Sequence, residues 1–296
     1  MKSSTNNIDL VEGEHYTIEN GLYVWTKYYL QERGYCCDND CRNCPYDFSN
    51  DKKVISLVPS WTDTLLECDV KVVGRTRFCI NPAEKIADIP VVGGTKTLKA
   101  EKLAGLNADL AILDKQENPF EFLEQLELPI FSSDVISLES LLSELIRLNI
   151  LLKSKKLNTL IFELDTMLAR PQRSFGLEKL PGVIEWLKQP EQEVNKILYM
   201  IWRDPWMCVS VDTFIGSMFD YLGFPGLIPK FETKYPKIVL EDYDEKSTLL
   251  LFSSEPFPFD KKTEELKSLN YPSAIVDGES FSWFGSTAIR FLQQNT

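Results

Sequence analysis

Between Ile130 and Arg170 the chain has neither glycine nor proline, the longest such interval in its 296 residues. Apolar residues recur there at helical spacing: Leu138, Leu141, Leu142, Leu145, then Leu157, Leu160, Ile161, Leu164, Leu168. Steps of three and four put one apolar stripe on a helix, which must be buried against a partner surface. Ser137 is an N-cap candidate with Glu139 in the first turn, where the helix dipole favours an acid. Lys153-Ser-Lys-Lys156 predicts a break into two helices, and Pro171 predicts their end. The stripe is too short for the three or four heptads of a coiled coil. The segment 136–172 therefore reads as linking helices, a stiff spine between the regions on either side.

Those two regions read alike. Before the spine, Val54–Val58, Lys71–Gly74, Pro90–Val92, Asp109–Leu113 and Pro129–Phe131 are short apolar runs separated by helical patterns, with helices predicted over 63–68, 97–106 and up to Leu126. After it come Ile197–Ile201, a helix from Asp212-Thr213 to Tyr221 with Gly223 past its end, Lys246–Phe252, a helix to Leu269, and Ser273–Val276. Strands alternating with helices predict α/β lobes with parallel sheets. The order strand, Glu-Pro-Phe loop, acidic helix, proline, strand, aspartate occurs at 109–134 and again at 246–277. Four parts follow: 1–50, a Cys-rich module; 51–135, an α/β lobe; 136–172, the spine; 173–296, a second α/β lobe.

In parallel sheets ligands gather outside the carboxyl ends of the strands. Trp61, Phe78, Thr95 and Lys115 fall at such ends in the first lobe. Trp202, Arg203, Trp206, Phe257, Phe281 and Trp283 do so in the second. Indoles on loops are costly to expose without a partner, so as a group these aromatics predict a flat, partly apolar ligand in a cleft between the lobes. Gly93-Gly-Thr-Lys96 lacks the pattern of a phosphate-binding loop and reads as a plain turn.

A net charge of −12 argues against a general binder of nucleic acid or anionic membrane. The N-terminus lacks the apolar core of a signal peptide and no run approaches a membrane span, so a cytoplasmic protein with no direct membrane insertion is expected. One histidine, His15, leaves no multi-His metal site and no ordinary catalytic triad.

Four of the seven cysteines, Cys36, Cys37, Cys41 and Cys44, lie within nine residues. Spaced C-C-x3-C-x2-C, they are candidate thiolate ligands for one Zn ion or Fe–S cluster; a redox-active vicinal dithiol and unligated thiols are the alternatives. Adjacent cysteines rarely both ligate one small ion, which leaves Cys36 or Cys37 a candidate bystander.

The segment Arg33-Gly-Tyr-Cys-Cys37, with Cys41-Arg42, Cys44, Pro45 and Tyr46, resembles a small family of unknown function marked R-G-Y-C-C-x3-C-R-H-C-P-Y. It is also similar to the N-terminal module of oxidoreductase-like proteins. Asn43 stands where those relatives have His. From Val54 to Phe291 the chain resembles the cobalamin/iron-chelate periplasmic-binding-protein family with a helical backbone, in a signal-less cytoplasmic branch. The resemblance rests on Val54–Asp63, Val72–Pro82, Val92–Lys96, Asp114–Asn118, Leu198–Met207, Asp212–Ile215, Ser253–Phe257 and Asp277–Trp283. Relatives in that branch often carry Phe-Cys-Ile-His-Pro, where this chain has Asn81 and retains only Cys79.

The resemblance implies two Rossmann-like lobes and a non-catalytic binder of cobalamin or a related tetrapyrrole or metal chelate. Tryptophans would flank the ring, and Arg203 or Lys115 would pair with its polar edge. It also implies an ABC permease as partner, against which the missing export signal argues. The alternative is a cytoplasmic redox or metal-cluster accessory protein or enzyme built on the Cys module, although no catalytic motif supports independent chemistry.

Overall fold

The structure, a computed structural model, describes residues 10–37, 41–46, 51–103, 105–170 and 176–295. The chain divides into two compact units, residues 1–135 with 139–171, and residues 136–138 with 172–296.

The first unit opens with a hairpin, β1 (Tyr16–Glu19) and β2 (Leu22–Trp25). Its turn residues Asn20 and Gly21 have φ of 52° and 78°, the left-handed pair that a two-residue hairpin turn needs. Helix α1 (Lys27–Arg33) follows, capped when the Thr26 side chain accepts from the Tyr29 N–H and ended by Gly34 at φ 83°. The sheet of this unit is built from β3 (Lys53–Ser56), β4 (Lys71–Thr76), β5 (Val91–Gly93), β6 (Leu110–Asp114) and β7 (Ile130–Ser133), with α2 (Pro59–Glu67), α3 (Ala83–Ile86) and α4 (Phe122–Gln125) between them. Its order is β5-β4-β3-β6-β7, every pairing parallel. The direction of strand progression reverses between β3 and β6, the point where such sheets open a crevice at their carboxyl edge. Ile55, Leu57, Val92, Ala111 and Leu113 form the core beneath it.

Helices α5 (Leu138–Leu152) and α6 (Lys155–Leu168) meet the expectation of two helices from one stripe. Lys153, at φ 51°, makes the break, and the Ser154 side chain caps α6 by accepting from the Leu157 N–H. Leu141, Leu145, Leu157, Ile161 and Leu164 have no exposed surface, each such burial being worth about 1.5–3 kcal/mol. Pro171 lies outside the described residues.

The second unit contains β8 (Val183–Lys188), β9 (Lys196–Trp202), β10 (Met207–Cys208), α7 (Phe214–Tyr221), β11 (Thr248–Ser253), α8 (Thr263–Leu266), β12 (Ser273–Val276), α9 (Gly278–Ser282) and α10 (Ser286–Asn295). Sheet order is β10-β9-β11-β12-β8. β9, β11 and β12 are parallel, as expected, whereas β10 and β8 run antiparallel at the edges, so the sheet is mixed.

Three further differences have local causes. Helix α2 starts at Pro59, four residues before the expected Asp63, because proline at the first helical position loses no hydrogen bond and has its φ preset. The helix expected over 97–106 is only a 3-10 turn at Ala100–Lys102: Leu98 bridges back to Gly93, while Leu98, Leu103 and Leu106 pack against the sheet core. The helix expected up to Leu269 is a 3-10 turn at Phe259–Lys262 followed by α8, since Pro256 and Pro258 delay its start.

Candidate functional site

At the carboxyl edge of the first sheet, Asn118 holds the loops together. Its Nδ2 donates to the carbonyls of Leu57 at 3.1 Å and Thr95 at 3.0 Å, while its Oδ1 accepts from the Asp114 N–H at 3.0 Å. The loops after β3, β5 and β6 are thereby fixed to one buried amide. Lys115 is exposed on this edge, with Nζ 3.7 Å from Asp134. Thr95 is half-buried, and Lys96 donates to the Glu117 carbonyl. Phe78, on the loop after β4, is 47% exposed, and the Arg77 guanidinium lies 4.7 Å from the centre of its ring.

Trp61 is placed differently from the strand-end loop expected for it. The early start of α2 puts it in the helix's first turns with no exposed surface. Its Nε1 donates to Ser133 Oγ at 2.8 Å, and that hydroxyl lies 2.6 Å from the Asp114 carboxylate. Burial raises the Asp114 carboxyl above its ordinary value, against the hydrogen bonds it accepts from Ser133 and from the Gln116 and Val135 amides. The tryptophan is thus a strut between α2 and the end of β7. Cys79 is also interior, accepting from Thr62 Oγ1 at 3.0 Å. Burial, opposed by hydrogen bonds from Thr62 and Thr76, raises its thiol.

In the second unit, Trp202 ends β9, is 43% exposed, and meets Phe257 edge to face at 5.5 Å. Phe257 stands on the loop after β11, so the two rings span neighbouring strand ends. Arg203 is turned aside: it pairs with Glu265 at 2.5 Å and lies 5.1 Å from the centre of the Trp206 ring. Its guanidinium pKa is raised by the bond to Glu265. Trp206 stacks on Phe259 and packs on the core. Phe281 is wholly buried and stacked on Phe219 at 5.0 Å. Trp283 is nearly buried, its Nε1 donating to Glu255 Oε1 at 2.9 Å. Burial raises Glu255, which also accepts from Ser282 at 3.0 Å. Tryptophan on a loop was thus an incomplete signal: Ser133 and Glu255, the acceptors that satisfy two indole N–H groups, carry no sequence pattern that announces the pairing.

The N-terminal thiols are half-exposed and pair two by two. Cys44 donates to the Cys36 sulfur across 3.5 Å, and Cys37 is the hydrogen-bond partner of Cys41. Burial is the first cause raising the Cys41 thiol, then the charge of Cys37 and that bond, with Arg33 acting against them. Among the described residues no three His, Cys, Asp or Glu side chains are grouped to hold an ion. The four-thiolate centre expected from the spacing therefore finds no support in this arrangement. Asp38, Asn39 and Asp40, within the module, lie outside the described residues.

The rest of the R-G-Y-C motif has a mechanical role. Tyr35 Oη donates to the buried Asp165 of α6 at 2.8 Å, under the Arg33 guanidinium, which lies 5.0 Å from the centre of its ring. Burial, then the bond to Asp165, raises the Tyr35 phenol. A Cβ on Gly34 would come within 2.6 Å of Ile146 on α5. Asn158 of α6 bonds both peptide groups of Cys36. Asn43 donates to the Trp25 carbonyl at 2.8 Å, a bond to the hairpin.

Residues 5–50 match a family of unknown function (DUF5522). No curated protein matches the chain in sequence. Solved structures share its fold. The periplasmic vitamin B12 binding protein of Vibrio cholerae is 16% identical with a TM-score of 0.57, the match covering 82% of this chain and 94% of that one. IsdE of S. aureus complexed with heme is 15% identical with a TM-score of 0.61, covering 82% and 97%. An ABC transporter substrate-binding protein from Listeria monocytogenes is also 15% identical with a TM-score of 0.61, covering 82% and 96%. The α/β fold of the two units is that of the class III periplasmic binding proteins. Among the described residues no helix is long and apolar enough to cross a membrane.

Proposed function

We propose that the chain is a binding protein for a flat tetrapyrrole or related metal chelate, of the cobalamin or haem type, and performs no chemistry on it. The observation that carries this reading is the Trp202–Phe257 pair, an exposed indole set against a second ring at adjoining strand ends of the second sheet. Exposed aromatic faces of this kind offer apolar area and stacking to a planar ligand at small conformational cost. Phe78 with Arg77 supplies a ring beside a cation at the edge of the first sheet, and Lys115 a second cation there. The cations suit the carboxylate or phosphate edge of such a ligand. The fold supports the reading because solved proteins that share it include a vitamin B12 binder and a heme complex.

Titration with haemin and, separately, cyanocobalamin tests it, following visible absorption and tryptophan fluorescence. A spectral shift with saturable quenching by one of the two is expected. Unchanged spectra of both ligands at micromolar concentrations would refute the reading.

A further inference from the structure

The seven cysteines form two chemical classes. Cys68, Cys79 and Cys208 are buried, and burial pushes the thiols of Cys68 and Cys208 up to about 12. Such thiols hold almost no thiolate near neutrality and are closed to reagents. The four in the N-terminal module are half-exposed.

Within the module two thiol pairs are hydrogen-bonded, Cys36 with Cys44 and Cys37 with Cys41, and the first of them is seated on α6. The sulfurs of Cys36 and Cys44 are 3.5 Å apart, eight residues apart in sequence, with the Cys44 thiol donating to the Cys36 sulfur. A disulfide requires about 2.05 Å, so the two must close by roughly 1.5 Å, a shift that side-chain rotation supplies. The two partners are held by different elements. The peptide groups of Cys36 are clamped to α6 by Asn158 at 2.6 and 2.5 Å, and the preceding Tyr35 is anchored to Asp165. Cys44 stands in a turn, its N–H bonded only three residues back, to the Cys41 carbonyl at 2.9 Å. Cys36 is fixed to α6, and the segment that carries Cys44 is tied to the hairpin and α1 by Asn43, which donates to the Trp25 carbonyl at 2.8 Å, and Tyr46, which donates to the Leu30 carbonyl at 2.7 Å.

We propose that Cys36 and Cys44 are a thiol–disulfide exchange site whose substrate is a low-molecular-weight disulfide of the glutathione class. Cys36, whose sulfur already accepts a hydrogen bond, attacks as thiolate. Its sulfur forms a bond to one sulfur of the substrate, the substrate's S–S bond breaks, and the first small thiol leaves as thiolate and takes up a proton. Cys44 then loses its proton and attacks the Cys36 sulfur of the mixed disulfide. The Cys36–Cys44 bond forms and the second small thiol departs. Two protein thiols are oxidised, one disulfide is reduced to two thiols, and the two protons balance. Reduced glutathione runs the sequence backwards. The site is independent of the tetrapyrrole reading, which rests on residues after 70.

The test uses the full chain in glutathione buffers of increasing oxidised fraction, with rapid alkylation and peptide mapping by mass spectrometry. The expected result is loss of two of the seven thiols, mapped to a Cys36–Cys44 disulfide and fully restored by dithiothreitol. Cys44→Ser should trap one glutathione on Cys36. Three results would overturn the proposal, and the unmodified chain alone decides each of them. One is a full set of free thiols in the most oxidised buffer. Another is a disulfide linking Cys36 to Cys37 or Cys37 to Cys41 in its place. The third is a stoichiometric zinc ion that shields the four thiols from alkylation until a chelator removes it.

Discussion

The side chain of Asn158 brackets Cys36: its Oδ1 accepts from the Cys36 N–H at 2.6 Å and its Nδ2 donates to the Cys36 carbonyl at 2.5 Å. An asparagine inside a helix has here taken the part of a neighbouring strand, satisfying a donor and an acceptor that have no ladder. We predict that Asn158→Ala destabilises the first unit by about 1–3 kcal/mol, the usual cost of leaving such groups without partners. Urea unfolding measures this, and proteolysis should cut first within residues 10–50. A midpoint equal to the parent's would show that the bracket holds nothing.

Gly34 is required twice over, by its φ of 83° and by the approach of Ile146. A left-handed conformation alone costs an L-residue about 1–2 kcal/mol. Gly34→Ala is therefore expected to lose more than that, and Ile146→Ala should restore the steric part but not the backbone part. A double-mutant cycle separates the two. Additive effects would mean that the side chain of Ile146 yields freely.

The tryptophans at 61 and 202 should respond oppositely. Trp61→Phe removes the bond to Ser133 and is expected to cost about 0.5–1.5 kcal/mol of stability with ligand affinity unchanged. Trp202→Ala should leave stability nearly unaltered and weaken haemin or cobalamin binding by about 2 kcal/mol, roughly thirtyfold. Equal affinity losses in both variants would contradict the placement of the ligand contacts.

Glu255 gives a pH dependence with a defined sign. Burial raises its carboxyl above the ordinary value of 4.5. The folded state therefore holds the proton to higher pH than the unfolded chain does. Stability is greatest below the unfolded value, falls as pH rises through the window up to the folded value, and is level above it. Glu255→Gln keeps an oxygen for the Trp283 N–H and removes the charge. It should match the parent near about pH 4 and exceed it near about pH 7. Parallel stability curves for the two proteins would remove Glu255 as the cause.

The elements that could be read from the chain were those whose pattern is internal. Apolar runs betrayed β6, β9 and β11, and the apolar stripe betrayed α5 and α6, because each announces its own burial. Strand β8 escaped: Val183–Lys188 is an edge strand with no buried residue, and Glu185 and Lys188 sit in it without clear alternation. The hairpin β1–β2 is marked in the sequence only by its Asn20-Gly21 turn, between strands too short to show an alternation of their own. For the candidate site, composition marked the aromatics but not their direction. Whether an indole faces solvent depends on one distant acceptor, Ser133 for Trp61 and Glu255 for Trp283, and such pairings come only with tertiary structure. The roles of Asn158 and Asp165 were hidden likewise, since a polar residue on a helix usually means a solvated face.

The way Gly34 and Tyr35 are seated on α5 and α6 bears on where this chain can be cut. The family match ends at residue 50, which invites a truncation there. Such a protein would lack the phenol that meets the Asp165 carboxylate and would bare the surface around Ile146 and around Phe162, which packs on the Tyr35 ring at 6.0 Å and is already 45% exposed. A shortened chain beginning at residue 51 is thus expected to self-associate in gel filtration where the full chain does not. In this protein the limits of a sequence family and the limits of a compact unit do not coincide.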